Sequence, residues 1–249
     1  MPDALILLTA AFAAGVLNTV AGGGTFLTFP ALVLTGIPPV AANATSAVAV
    51  LPGYAGGVAG YRRELGGFPH RRLVRDGAVA LAGGLTGAGL LTITSDAIFS
   101  AVIPVLMLLA TLAFAFGQPL RALLSGRAAS GPLARAGGLF LVCTYGGYFN
   151  GGLGIVLLAL FSLQGMTDIH AMNGLKSAVS LLVSAISVAA FALAGLVAWG
   201  PALLMMAAAT AGGYAGAPLA RALPEAAVRA VVVATGGVMT ALFAIRALS

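Results

Sequence analysis

Charge is what this sequence has least of. Twelve Lys and Arg and six Asp and Glu make up 7% of its 249 residues, where a soluble domain carries roughly 25%. So little polar surface cannot cover a water-soluble globule. A 60% hydrophobic composition excludes a disordered chain as well. Cysteine is nearly absent: Cys143 stands alone, so no intrachain disulfide can form. Two distant histidines, His70 and His170, add no credible metal cluster to it. The chain has no H-E-x-x-H, G-x-S-x-G, P-loop or C-x-x-C. No cofactor and no enzyme are expected. The N-terminus lacks a basic n-region, so it reads as a first span rather than a removable signal peptide. The net charge of +6 comes almost entirely from arginines in two short stretches, a pattern that orients a membrane protein rather than binding nucleic acid.

What remains is apolar. Mean hydropathy is +1.08, and at about 20 residues per span the length accommodates eight or nine crossings. Apolar stretches run over 4–21, 24–36, 40–60, 77–95, 97–117, 136–153, 154–165, 170–196, 199–220 and 227–245. Two of them, 24–36 and 154–165, are too short to cross alone. Each follows a longer segment across glycines: Gly22, Gly23 and Gly24 in one case, Gly151, Gly152 and Gly154 in the other. Paired short, Gly-interrupted segments are the best pointer in a sequence to a transporter's binding site.

The two breaks belong to an internal repeat. Ala82-Gly83-Gly84-Leu85-Thr86-Gly87-Ala88-Gly89-Leu90 aligns with Ala211-Gly212-Gly213-Tyr214-Ala215-Gly216-Ala217-Pro218-Leu219, Asn43 with Asn173, and Gly15-x-x-Asn18 with Gly147-x-x-Asn150. The matches fall in order at nearly one offset. The expected organisation is a first transmembrane repeat over 1–117, a basic cytoplasmic linker over 118–135 and a second repeat over 136–249. The fold class is an all-α polytopic membrane protein of two tandem repeats, each with a Gly-broken helix and about three further spans. Arg62, Arg63, Arg71, Arg72 and Arg75, with Arg121, Arg127 and Arg135, mark the cytoplasmic face. If the breaks are kinks, the chain crosses eight times, and Arg221 and Arg229 fall outside. If they are re-entrant tips, the repeats are inverted and only Arg246 lies outside. The positive-inside rule slightly favours the inverted form, and both topologies stay open at this point.

Candidate site residues gather at the breaks. Asn18, Thr19, Gly22, Gly23, Gly24 and Thr25 form the first, where free N–H groups and a helix dipole would face an anion. The alternative there is a small-residue helix crossing with Asn18 as an interhelical bond. Asn150, Gly152 and Gly154 form the second. One segment later, Asn43 shares a helical face with Ser46, and Asn173 shares one with Lys176. Lys176 is the most informative residue. It lies inside an apolar span, while Asp3, Glu64, Asp76, Asp96, Asp168 and Glu225 all sit at span ends or in linkers. A cation there needs a partner or water, and an anionic substrate supplies one. The bland alternative is a Lys176 that snorkels or pairs with Asp168. Tyr54, Tyr145 and Tyr148 read as pathway-lining or packing aromatics, with packing favoured for each, His170 as an interfacial residue and Trp199 as an interfacial anchor.

Gly15-Val16-Leu17-Asn18-Thr19-Val20-Ala21-Gly22-Gly23-Gly24-Thr25-Phe26-Leu27-Thr28-Phe29-Pro30-Ala31-Leu32, then Gly36-Ile37-Pro38 and Ala42-Asn43-Ala44-Thr45-Ser46, closely resembles the TauE/SafE-type sulfite exporter family. Gly151-Gly152-Leu153-Gly154 and Asn173-Gly174-Leu175-Lys176 look like its second repeat. Two departures stand in that repeat: Ile155 and Val156 follow Gly154 in place of a fuller glycine triplet, and Ser162 occupies the position of Pro30. The resemblance implies a bacterial inner-membrane permease for a small sulfur-containing anion such as sulfite, a sulfonate or thiosulfate. Its partners would be that anion and the lipid bilayer, with no nucleic acid. H+ coupling and a homodimer are compatible with the sequence. The expected function is secondary transport by alternating access. A passive anion channel and a non-enzymatic membrane subunit of a partner complex are the alternatives.

Overall fold

The computed structural model describes residues 2–20, 23–124, 131–222 and 225–248. Among them the chain is entirely helical. Two helices come first, α1 (Pro2–Val20) and the short α2 (Thr25–Leu34). Next are α3 (Pro39–Gly60), the single turn α4 (Arg62–Gly66), α5 (His70–Thr92) and α6 (Asp96–Leu124). The same order then returns: α7 (Pro132–Tyr148), the short α8 (Leu153–Leu163), α9 (Ile169–Leu193), α10 (Trp199–Ala222) and α11 (Glu225–Leu248). Helix α5 starts seven residues before its apolar stretch and carries Arg71, Arg72 and Arg75 in its first two turns. Hydropathy stops at the membrane edge; a helix does not.

Both glycine breaks are hairpin tips. Ile6 and Ala10 of α1 line one groove with Pro30, Ala31 and Leu34 of α2. An in-line α2 would carry Leu34 about 40 Å from Ile6, so α2 must fold back along α1. The second pair does the same. Leu160 of α8 approaches Gly138 of α7, Leu153 approaches Gly146, and Gln164 Nε2 donates to the Arg135 carbonyl at 3.3 Å. Ser162 in place of proline does not prevent the fold-back.

Each short helix then turns into a long one by the same device. Ile37 N–H donates to Leu32 O and Gly36 N–H to Val33 O; Met166 N–H donates to Phe161 O and Gly165 N–H to Ser162 O. Gly36 and Gly165 both sit at φ 85°, the left-handed conformation that this helix ending requires. Carboxylates cap the helices that follow. Asp168 accepts from His170 N–H and Ala171 N–H at the start of α9, and Asp96 accepts from Val40 N–H near the start of α3. Asp168 is therefore occupied as a cap and does not pair with Lys176.

The closest helix crossings are built on the repeated glycine motif. Helix α5 packs along α7 and α10 along α1. A Cβ at Gly87 would strike the Thr144 carbonyl, and one at Gly147 the Gly84 carbonyl. At the other crossing, a Cβ at Gly15 would strike the Ala209 carbonyl and one at Gly212 the Phe12 carbonyl. Small residues admit this backbone approach, which drives association where lipid supplies no hydrophobic gain. Gly87→Val is predicted to cost about 1–3 kcal/mol by overpacking, read as a lower melting temperature in detergent. Gly89 faces open space, so Gly89→Ala should leave that temperature unchanged or slightly raised.

The interior is aromatic where the two hairpins approach each other. The ring of Phe29 (α2) meets Phe99 and Phe149 edge-on at 6.3 and 5.9 Å, and stacks on Phe243 at 5.6 Å. Outward positions are also apolar, among them Leu5, Ile93, Leu133, Leu141 and Leu193. Such a face suits lipid and not water. Among the described residues, Asp96–Ala113 and Ile169–Leu193 are long and apolar enough to cross a bilayer by themselves. Helix α3 buries Asn43, Thr45 and Ser46, so its polar positions face the protein interior.

Candidate functional site

The first tip is organised by Asn18. Its Oδ1 accepts from Gly24 N–H at 2.8 Å, and its amide lies against Gly53 of α3. A Cβ at Gly24 would overlap the Asn18 side chain, so any larger residue there must displace Asn18 from its hydrogen bond. The tip is thus less open than expected: Asn18 occupies Gly24 N–H, and Phe26 N–H turns back to Gly23 O at 3.1 Å. Thr25 and Ser46 are buried close behind, and the Thr28 and Ser46 hydroxyls share a hydrogen bond of 2.6 Å between α2 and α3. Gly22 and the side chain of Thr19 lie outside the described residues.

The second tip is held from three sides. Phe149 is extended, and Gly152 at φ 74° starts α8 against Ala110 of α6. Asn150 is buried. Its Oδ1 accepts from the Tyr54 hydroxyl of α3 at 3.1 Å, and its Nδ2 donates to Ser184 Oγ of α9 at 2.9 Å. The Tyr145 hydroxyl donates to the Gly151 carbonyl. Asn43 Nδ2 donates to the Tyr148 carbonyl at 2.9 Å, and its buried Oδ1 has no partner. Tyr145 packs edge-on against Phe149 at 6.4 Å, as expected, and both Tyr54 and Tyr145 also use their hydroxyls to fix the tip. Tyr148 packs edge-on against Phe99 at 5.6 Å.

Lys176 and Asn173 form a separate group two turns into α9. Lys176 Nζ donates to Asn173 Oδ1 at 2.9 Å, the contact that their spacing predicts. The lysine stem lies on Gly154, where a Cβ would approach it to 3.2 Å. Ion pairs among the described residues are confined to Asp76 with Arg72 and Arg75, so no carboxylate neutralises Lys176. Eight residues, about 12 Å along the axis, separate Lys176 from Ser184 and hence from Asn150. His170 is exposed in the first turn of α9, and Trp199 is half exposed where α10 starts.

The predicted residues therefore gather into neighbouring groups. Asn18 and Asn150 reach consecutive residues of α3, Gly53 and Tyr54, in its middle. Lys176, Asn173 and Gly154 lie together beside the second hairpin, and Ser46 bonds to the first. Sequence reasoning missed Ser184 and Thr28, and it favoured packing for Tyr54, whose hydroxyl holds Asn150. One signal was available: Ser177, Ser180, Ser184 and Ser187 recur at helical spacing within an apolar helix.

A model of the family described as Sulfite exporter TauE/SafE matches residues 7–243. A curated relative, "Probable membrane transporter protein ORF9" of Sinorhizobium sp, is 34% identical over 111 residues, which is 43% of this chain and 41% of that protein. No solved structure matches.

Proposed function

This chain belongs to the sulfite exporter TauE/SafE family of membrane transporters, and from there we propose that it carries a small, singly charged sulfur oxyanion by alternating access. The observation that carries this reading is Lys176: an ammonium within a long apolar helix, resting on a neutral amide, with no carboxylate beside it. An anion is the missing partner. One ammonium matches one negative charge, whereas a dianion would leave buried charge unpaired. A sulfonate or hydrogen sulfite fits that arithmetic better than sulfate. Lys176, Asn173 and the Gly154 backbone would receive the anion. The two hairpin tips with Asn18 and Asn150, and beyond them Asn43 and Ser46, would line its way.

Residues 1–117 and 136–249 would form two inverted repeats, each a re-entrant hairpin followed by three crossings in the bacterial inner membrane. The matching order of helices supports this, as does the exchange of packing partners: α1 with α10, and α7 with α5. That exchange alters how the repeats would move. The tightest crossings tie each hairpin to a helix of the other repeat, so the repeats cannot rock as separate sequence halves. The moving bodies would be α1, α2, α3 and α10 against α7, α8, α9 and α5, with α3 and α9 at the interface.

Counterflow tests carrier against channel. Proteoliposomes preloaded with unlabelled methanesulfonate, a monoanion, should transiently accumulate labelled methanesulfonate above its outside concentration, saturably, because a carrier's return step is sped by trans substrate. Sulfite should compete and sulfate should compete weakly. Flux that is linear in concentration and shows no overshoot would overturn alternating access in favour of a pore.

A further inference from the structure

Among the described residues three buried hydroxyls have no hydrogen-bond partner, Thr111 of α6 and two on α9, although a helical carbonyl lies within reach of each. Ser180 and Ser187 of α9 are 0% and 2% exposed, and neither Oγ is bonded. A buried helical hydroxyl can fall back on the carbonyl four residues earlier. This chain uses that fallback freely: Thr144 donates to Phe140 O, Ser162 to Leu158 O, Ser177 to Asn173 O and Thr210 to Met206 O. Ser180 and Ser187 do not. An unsatisfied hydroxyl in the interior is costly unless something else claims it.

Their position says what could claim them. Spacings of three and four residues put Ser177, Ser180, Ser184 and Ser187 on one face of α9. That face looks at α3 and the second tip: Ser177 lies beside Gly57, and Ser184 accepts from Asn150, which also holds Tyr54. The adjoining side of α9, with Val183 and Ile186, packs on Gly84 of α5, so Ser180 and Ser187 stand at the edge of the serine face nearer α5. Ser180 and Ser187 therefore flank the Asn150 contact by one turn on either side, at the interface between the two proposed moving bodies. Hydroxyls are neutral donors, suited to an anion that must also leave.

We infer that Ser180 and Ser187 are further substrate-binding residues, donating hydroxyl hydrogen bonds to the sulfur oxyanion at successive positions past Lys176. They stand about 10 Å apart along the helix, too far for one small anion to touch both. Lys176 attracts the anion and the serine face passes it by the second tip. This inference rests on the transport reading above.

Thermal stabilisation of the purified protein by sulfite and by methanesulfonate separates the two. Ser180→Ala and Ser187→Ala, singly and together, should leave the melting temperature of the anion-free protein unchanged or raised, because each removes an unsatisfied donor. Each should weaken the apparent affinity for the anion about tenfold. An unchanged affinity in the double variant, or a lowered anion-free melting temperature with unchanged affinity, overturns the serine assignment and leaves the transport reading standing. If neither anion stabilises the wild-type protein, the transport reading falls and the serine assignment with it.

Discussion

Lys176→Ala is expected to lower affinity for a sulfur oxyanion more than about 100-fold, and to abolish saturable flux, in a protein that still folds. A hydrogen bond to a charged group is worth about 1.5–3 kcal/mol, which alone is a factor of ten to a hundred. Leaving the anion's charge unpaired in the interior adds to that loss. Stability should change little, because the side chain makes a single hydrogen bond, to Asn173, and lays its stem on Gly154. Removing a cation that has no carboxylate partner also relieves a desolvation cost. Lys176→Arg keeps the charge but needs room for a planar fork over Gly154, so it should restore binding only in part. Anion-dependent melting and counterflow, measured on the same preparations, check both halves of the expectation. Wild-type affinity in Lys176→Ala would remove Lys176 from the site.

Asn150→Ala should have the largest effect on stability among the tip residues, about 2–4 kcal/mol. The substitution leaves the Tyr54 hydroxyl and Ser184 Oγ facing an apolar gap. Each orphaned buried group costs about 1–3 kcal/mol. The same change unties α3 from α9 at the second tip, since Asn150 is the residue that bonds to both. Asn18→Ala should cost less, because Asn18 accepts its hydrogen bond within its own hairpin, from Gly24 N–H. Tyr54→Phe removes only one arm of the bracket. Combined with Asn150→Ala it should cost less than the sum of the two, the sign of direct coupling. Melting temperatures of the single and double variants in one detergent give this cycle. Full additivity would mean that Tyr54 and Asn150 do not act as a unit.

Much of this architecture was legible before any tertiary contact was known. Ten apolar stretches foreshadow the long and short helices because a helix facing lipid must be apolar along its length. The turn α4 and the arginine-bearing start of α5 escaped that reading, since they carry no apolar signal. The Asn173–Lys176 contact was legible because three residues along a helix put two side chains on one face. The choice between kink and hairpin was not. It depends on whether Leu34 returns to Ile6 and Gln164 to Arg135, and local spacing carries no information about either.

The repeated Ala-Gly-Gly motif shows the division most plainly. Its recurrence near 82–90 and 211–219 could be read as a repeat, and its small residues as a close crossing. Which helices cross there, α5 with α7 and α10 with α1, is a matter of complementary backbone surfaces far apart in the chain. The Tyr54–Asn150–Ser184 bracket is of the same kind. By itself, then, the sequence determined what is set by composition and short-range period: a helical membrane protein, its breaks, and one cation left inside without a partner. Only the tertiary structure decided how the breaks fold back, which helices hold them, and which hydroxyls are spent and which are spare. Those outcomes depend on the fit between segments tens of residues apart, and a single side chain's chemistry does not encode its distant neighbour.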